Sequence, residues 1–151
     1  MNKPVLFLRM ASVLTLIHAV LHTMGGVFGA IPPGPASVAV LAMKTNAFVA
    51  LGETRTFWEY YRGMGLGVSI FLTAEAVVFW LLASIAKRNA ATLRPVLAAF
   101  AIAYVVFAMD SYFYFFLAPV VTELLIAVCL VLAIATAKAP DALPTTAASG
   151  A

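Results

Sequence analysis

Five ionisable side chains stand inside long apolar runs of the sequence: His18, His22, Glu75, Asp110 and Glu123. Such groups are costly in hydrocarbon and normally turn toward a protein interior, so their depth and face carry information. His18 and His22 belong to a stripe of Ala11, Thr15, His18, His22, Gly25 and Gly29 that repeats at alternating four- and three-residue steps. A stripe this small and polar lets a neighbouring helix approach closely, leaving Leu14, Ile17 and Leu21 for lipid. At 1.5 Å per helical residue, Asp110 and Glu123 fall about 10 Å below a shared turn near Leu117, and His22 falls about 12 Å below Ile31-Pro32. Glu75 lies about 20 Å into its run, close to the level of His18. The depths predict a polar column, with His22, Asp110 and Glu123 in one layer and His18 and Glu75 in a deeper one. Two carboxylates at one level in a low dielectric are expected to share a proton, and a shared proton beside a histidine suits acid/base chemistry. His22 is then the proton shuttle, and Asp110 and Glu123 are the acid and its orienting partner. His18, His22, Asp110 and Glu123 are equally candidate metal ligands, because imidazoles at i, i+4 with two carboxylates can form a helical coordination set. A haem held by both histidines is excluded, since axial ligands approach from opposite sides. A third reading is that these groups only pair across helices and fix which faces meet.

The elements that must position these residues follow from composition. Of 151 residues, 64% are hydrophobic and 10% charged, whereas a soluble domain is nearer half apolar and a quarter charged. One small core cannot hide that much apolar surface, so the chain reads as a membrane protein and not as a disordered one. Runs of about 20 apolar residues predict spans near 5–30, 60–86, 94–115 and 119–137, with Pro4, Pro95 and Pro119 near the helix starts. The predicted fold class is all-α, a four-transmembrane-helix bundle formed by residues 1–138. Ile31-Pro32-Pro33-Gly34-Pro35 cannot be helical, and residues 37–51 read as a short interfacial helix capped by Ser37 and Gly52. The tail 139–151 is expected to be disordered. The first run is read as a span and not a signal peptide, because Phe28 and Ala30 make a poor cleavage site. Lys3, Arg9, Lys87, Arg88, Arg94 and Lys138 would place both termini in the cytoplasm and the 31–59 loop outside, giving a multi-pass protein of the bacterial inner membrane. The net charge of +3 is scattered singly, which argues against nucleic acid as a partner. Cys129 alone supports no internal disulfide and no cysteine zinc site. The Gly63, Gly65 and Gly67 run is expected to serve close packing, since no Lys-Ser/Thr follows it as in a phosphate loop.

One further group of residues is arranged as a motif. His22-Thr23-x-Gly25-Gly26, Ala42-Met43-Lys44 and Arg55-x-Phe57-Trp58-Glu59-Tyr60-Tyr61-x-Gly63-x-Gly65 resemble the pattern of a family of small, uncharacterised bacterial four-helix integral membrane proteins. In that pattern Tyr-Trp-Asp stands where this chain has Phe57-Trp58-Glu59. The likeness covers roughly residues 1–75 and is carried beyond them by hydropathy alone. It implies four spans, and it implies that Lys44, Arg55, Glu59 and Tyr61 gather with His22 at the outer mouth. A purely architectural analogy runs to sterol isomerase-like membrane bundles, which hold His and acidic residues around a lipophilic ligand.

These observations lead to a working expectation: a lipophilic small molecule, isoprenoid, sterol-like or quinone-like, binds an outer-half polar pocket. His22, Asp110, Glu123, Glu59 and Tyr61 are the candidate catalytic residues, and Tyr61 or Arg55 would steady a developing anion. His18, Lys44, Arg55, Trp58 and Glu75 are the candidate ligand-binding residues. No cofactor fingerprint is present, so the chemistry would be isomerisation, cyclisation or epoxide opening, with a metal as the one cofactor the residues allow. The partners expected are membrane lipid, the lipophilic ligand and a further copy of the chain in a homo-oligomer. The alternatives are an accessory subunit of a membrane assembly or a proton-coupled carrier, built on the same column.

Overall fold

The computed structural model describes residues 2–137; the expected tail 139–151 lies outside them. Four helices are long and apolar enough to cross a membrane, Lys3–Val27, Phe57–Asn89, Ala91–Tyr114 and Leu117–Thr136, so the chain is a multi-pass membrane protein. The fold is an all-α four-helix bundle. Its elements are α1 (Lys3–Leu21, continued by a π-helical stretch His22–Val27), α2 (Pro35–Thr45), β1 (Ala47–Ala50), β2 (Glu53–Thr56), α3 (Phe57–Asn89), α4 (Arg94–Tyr114, preceded by a 3-10 turn) and α5 (Leu117–Thr136).

Proline opens three of these helices, Pro4 in α1, Pro35 in α2 and Pro95 in α4, at positions where a missing N–H costs no intrahelical bond. The start of α3 is set by a capping box: the Thr56 side chain accepts from the Glu59 N–H, and the Glu59 carboxylate accepts from the Thr56 N–H. At the opposite end of the bundle the Arg94 guanidinium donates to the Ala137 carbonyl, tying the start of α4 to the end of α5. The first and last described residues and the α3–α4 connection share that end, called here the termini end. The α4–α5 turn, α2 and the hairpin occupy the other, the loop end.

Helix α1 packs against both α3 and α5, and α4 packs against α5. Of the expected stripe, Ala11, Thr15 and His18 are buried along α1, His22 and Gly29 are half-buried and Gly25 is exposed; Ile17 and Leu21 are exposed, and Leu14 is only partly so. The apolar core fills the termini-end half, with Leu8, Phe79, Leu97, Ile126 and Leu130 almost wholly enclosed among alanines. Toward the loop end the buried positions turn polar: Thr15, His18, Ser69, Ser111 and Glu123.

One element differs from expectation. The helix read over 37–51 runs instead from Pro35 to Thr45, and Ala47–Ala50 pairs antiparallel with Glu53–Thr56. Gly34, not Ser37, precedes the first turn, and Gly52 is a hairpin residue and not a helix cap. Leu51 and Gly52 both have positive φ, 52° and 85°, the backbone signature of a two-residue turn whose twist matches its strands. Phe48 holds the hairpin down by packing on Phe57 and Tyr60 of α3, with ring centroids 5.1 and 5.6 Å away.

Candidate functional site

The facing surfaces of α3 and α4 meet through large side chains. Phe79 lies edge-on to Phe100 at 5.0 Å and tilted to Tyr104 at 6.1 Å. Between the two helices, toward the loop end from these rings, a cleft of about 180 Å³ is lined by Val68, Phe71, Leu72 and Glu75 of α3 and by Ala103, Tyr104 and Phe107 of α4. The Tyr104 hydroxyl donates to Glu75 Oε2 at 2.7 Å. Thr15 Oγ1 lies 3.3 Å from the same hydroxyl and donates to the Ala11 carbonyl at 2.9 Å. Tyr104 therefore ties the α3 carboxylate to α4 beside Thr15 of α1, at the middle of the bundle, equidistant from the two ends of α4.

One turn along α1, His18 lies nearly parallel to the Phe107 ring with centroids 6.1 Å apart, and its Nε2 is 3.8 Å from Glu123 Oε1. Glu123 is wholly buried and accepts from the Ser111 hydroxyl at 2.9 Å. His18 Nδ1 and Glu123 Oε2 are buried with no hydrogen-bond partner among the described residues. A buried polar atom left unpaired costs about 1–3 kcal/mol, so this pair is an expensive way to join helices.

The expected column is thus only partly assembled. Glu123 and His18 meet, and Glu75 lies on the far side of Tyr104, linked through it to Thr15. Asp110, at the level computed for Glu123, is exposed; its neighbour Ser111 occupies the inward position. His22 turns to α3, where its Nε2 donates to the Gly65 carbonyl at 3.1 Å. The carboxylate pair and the His22 shuttle expected from depth alone are accordingly not brought together. Among the described residues no three of His, Cys, Asp and Glu stand close enough to share a metal ion.

At the loop end, Lys44 Nζ sits 5.3 Å over the Trp58 ring, and Trp58 stacks on Tyr61 at 5.6 Å. Arg55 pairs with Glu53 at 3.1 Å on the exposed hairpin, and Glu59 is engaged in its capping box. Three groups carry contacts that the sequence reading did not single out as site residues: Tyr104, Ser111 and Arg62, whose guanidinium lies 4.6 Å over the Phe28 ring. A tyrosine hydroxyl inside an apolar run signals a buried partner, and that signal was available for Tyr104.

Comparison with protein-family models, with curated proteins and with solved structures finds no match to this chain.

Proposed function

We propose that the protein binds a lipophilic small molecule in the α3–α4 cleft and that Glu75 and Tyr104 are the polar groups that meet it. The observation that carries this reading is the lining: five apolar side chains surround one carboxylate hydrogen-bonded to one phenol, the composition of a site that takes an apolar ligand and orients it through few polar contacts. A cavity of roughly 150 Å³ suffices for a benzene ring; the cleft of about 180 Å³ suits one ring or a short isoprenoid segment, the rest of the ligand lying in the bilayer. Glu75, with Tyr104 donating to it and Thr15 behind, is placed to exchange a proton with a ligand atom, which supports isomerisation over redox chemistry. In this reading His18, Glu123 and Ser111 hold α1 against the α4–α5 hairpin behind the site, and Asp110, His22, Glu59 and Tyr61 stand outside it. Membership of the bacterial four-helix family and residence in a bacterial inner membrane with the loop end outside belong to the same proposal, resting on the motif residues and on the charge asymmetry.

A rival reading, an accessory subunit, is favoured by the number of polar contacts that only join helices, such as Ser12 Oγ donating to the Ala76 carbonyl at 2.6 Å and Thr23 Oγ1 to Ser69 Oγ at 2.8 Å. The two readings separate on one experiment. A hydrocarbon diazirine dissolved in proteoliposomes is expected to label the stretches Val68–Glu75 and Ala103–Phe107 above the other lipid-facing helix surfaces. Ala103→Trp, which adds bulk at the exposed rim of the cleft, should abolish the excess without lowering thermal stability. Uniform labelling of all four spans would return the chain to the subunit reading.

A further inference from the structure

Arg62 is half-buried at the loop end of α3, its guanidinium over Phe28 and its Nε enclosed with no hydrogen-bond partner among the described residues. It makes no ion pair among those residues either; the pairs present are His18 with Glu123 and Arg55 with Glu53. The nearby Glu59 is occupied by Thr56 through both its backbone N–H and its hydroxyl, and Asp110 is on α4, which packs against α5. The arginine is not alone. Trp58, one turn before Arg62 on the same face, carries Lys44 over its ring. Gly65, one turn after it, accepts from His22. Three basic side chains from α1, α2 and α3 therefore lie along one face of α3 over about two turns. The cleft lies further along α3, from Val68 to Glu75.

Depth identifies what such a face would meet. Glu75 is joined to Tyr104 at the centre of α4, and Arg62 lies about 20 Å nearer the loop end at 1.5 Å per residue. The hydrocarbon half-thickness is about 15 Å and the headgroup layer extends to about 20–22 Å. With the centre of α4 at the bilayer midplane, Arg62 is level with lipid phosphates. The π-helical stretch His22–Val27 stands beside it and brings Phe28 under the guanidinium, a local distortion of the kind often found at functional sites.

We propose that Arg62, with Lys44, forms a binding site for a phosphate-bearing anion at the loop-end membrane surface, His22 holding the π-helical stretch and Phe28 in place through its bond to Gly65. The guanidinium supplies a planar fork of donors matched to phosphate oxygens, and Lys44 adds a point charge. The same chemistry serves the headgroup of an anionic lipid or a free phosphate compound, and the site is independent of the cleft.

Thermal unfolding of the detergent-purified full chain tests it, with phosphatidylglycerol, phosphatidylcholine or inorganic phosphate added separately. Phosphatidylglycerol is expected to raise the Tm above the value in phosphatidylcholine, with apparent affinity about tenfold or more weaker in Arg62→Gln. Arg62→Lys keeps the charge and loses the fork, so it should fall between the two. Arg55→Gln, on the exposed pair with Glu53, should leave the difference intact. A shift produced equally by inorganic phosphate would assign the site to a soluble phosphate compound; a shift by the lipid alone would assign it to a headgroup. Equal Tm values in all three additions, or an unchanged lipid preference in both Arg62 variants, would overturn the site. Should Arg62→Gln unfold, Arg62→Lys and Lys44→Gln supply the same comparison. Diazirine labelling of the cleft is unaffected by these variants, so failure here leaves the cleft reading standing.

Discussion

Glu123 shows what a buried carboxylate does when its neighbour changes by one position. Asp110 and Ser111 differ by about 100° around α4, and it is Ser111 that turns inward and donates to Glu123. The depth of the two acids was legible in the sequence, but their rotation was not, because α4 is apolar on every side and its pattern offers no preferred face. Tyr104 is hard to single out for a different reason: along its own helix it is one aromatic in an apolar run, and its hydroxyl partner, Glu75, is on another helix. Two expectations follow at this scale. Glu123→Gln keeps an oxygen that accepts from Ser111 and should unfold in detergent within about 1 kcal/mol of the parent, whereas Glu123→Leu leaves Ser111 and His18 unpaired and should cost about 1–3 kcal/mol. Adding Ser111→Ala to Glu123→Leu should recover part of that loss, and equal stability of Gln and Leu variants would show that the contact contributes nothing. Tyr104→Phe removes the donor to Glu75 and the neighbour of Thr15, so it should also cost about 1–3 kcal/mol by thermal unfolding. Ala103→Trp, at an exposed position, is expected to leave the stability unchanged.

Among the elements, the four spans could be read directly because each is a continuous apolar run bounded by proline, glycine or charge. The hairpin could not. Ala47–Ala50 and Leu51 continue the apolar character of α2, and a two-residue turn led by leucine lacks the Asn-Gly or Asp-Gly that normally announces it. Of the three α3 glycines expected to serve close packing, only Gly65 is in a tight place. A Cβ at Gly65 would stand 2.9 Å from Val27 Cγ2, while Gly63 and Gly67 have open space. Val27 is buried and β-branched, so it yields little. Gly65→Ala is therefore expected to push the π-helical stretch off α3, weaken the His22 hydrogen bond and cost about 1–3 kcal/mol. Val27→Ala should relieve the clash. Gly63→Ala and Gly67→Ala should be neutral or stabilise by up to about 1 kcal/mol, through helix propensity alone. Thermal melts of the four variants in one detergent decide it, and equal losses at all three glycines would mean that α1 and α3 do not approach at Gly65.

For the whole molecule, the proposed direction in the membrane rests on the charges at the two ends of the bundle. The enclosed hydrocarbon core lies toward the termini end, where Lys3, Arg9, Lys87, Arg88 and Arg94 cluster without a single Asp or Glu among the described residues of that end. Arg9 is even retained within α1 by lying over the Trp80 ring at 3.3 Å, an arrangement that shields a cation from lipid. At the loop end Lys44, Arg55 and Arg62 are accompanied by Glu53 and Glu59. Positive charge in short connections stays on the cytoplasmic side and acidic residues contribute little, and this asymmetry is what supports the proposal that the termini end is cytoplasmic. The 33-residue α3 is about 50 Å long, well beyond a 30 Å hydrocarbon layer, and its surplus at the loop end carries α2 and the hairpin clear of the membrane core. The orientation is open to test with single cysteines in a Cys129→Ser background. Ala36→Cys on exposed α2 should react with a membrane-impermeant maleimide in intact cells, and Thr92→Cys, exposed between α3 and α4, should react only after the membrane is permeabilised. The reverse pattern would put the loop end in the cytoplasm, turn the Arg62 site toward the inner leaflet, and mean that the charges of Lys44, Arg55 and Arg62 outweigh those of the opposite end.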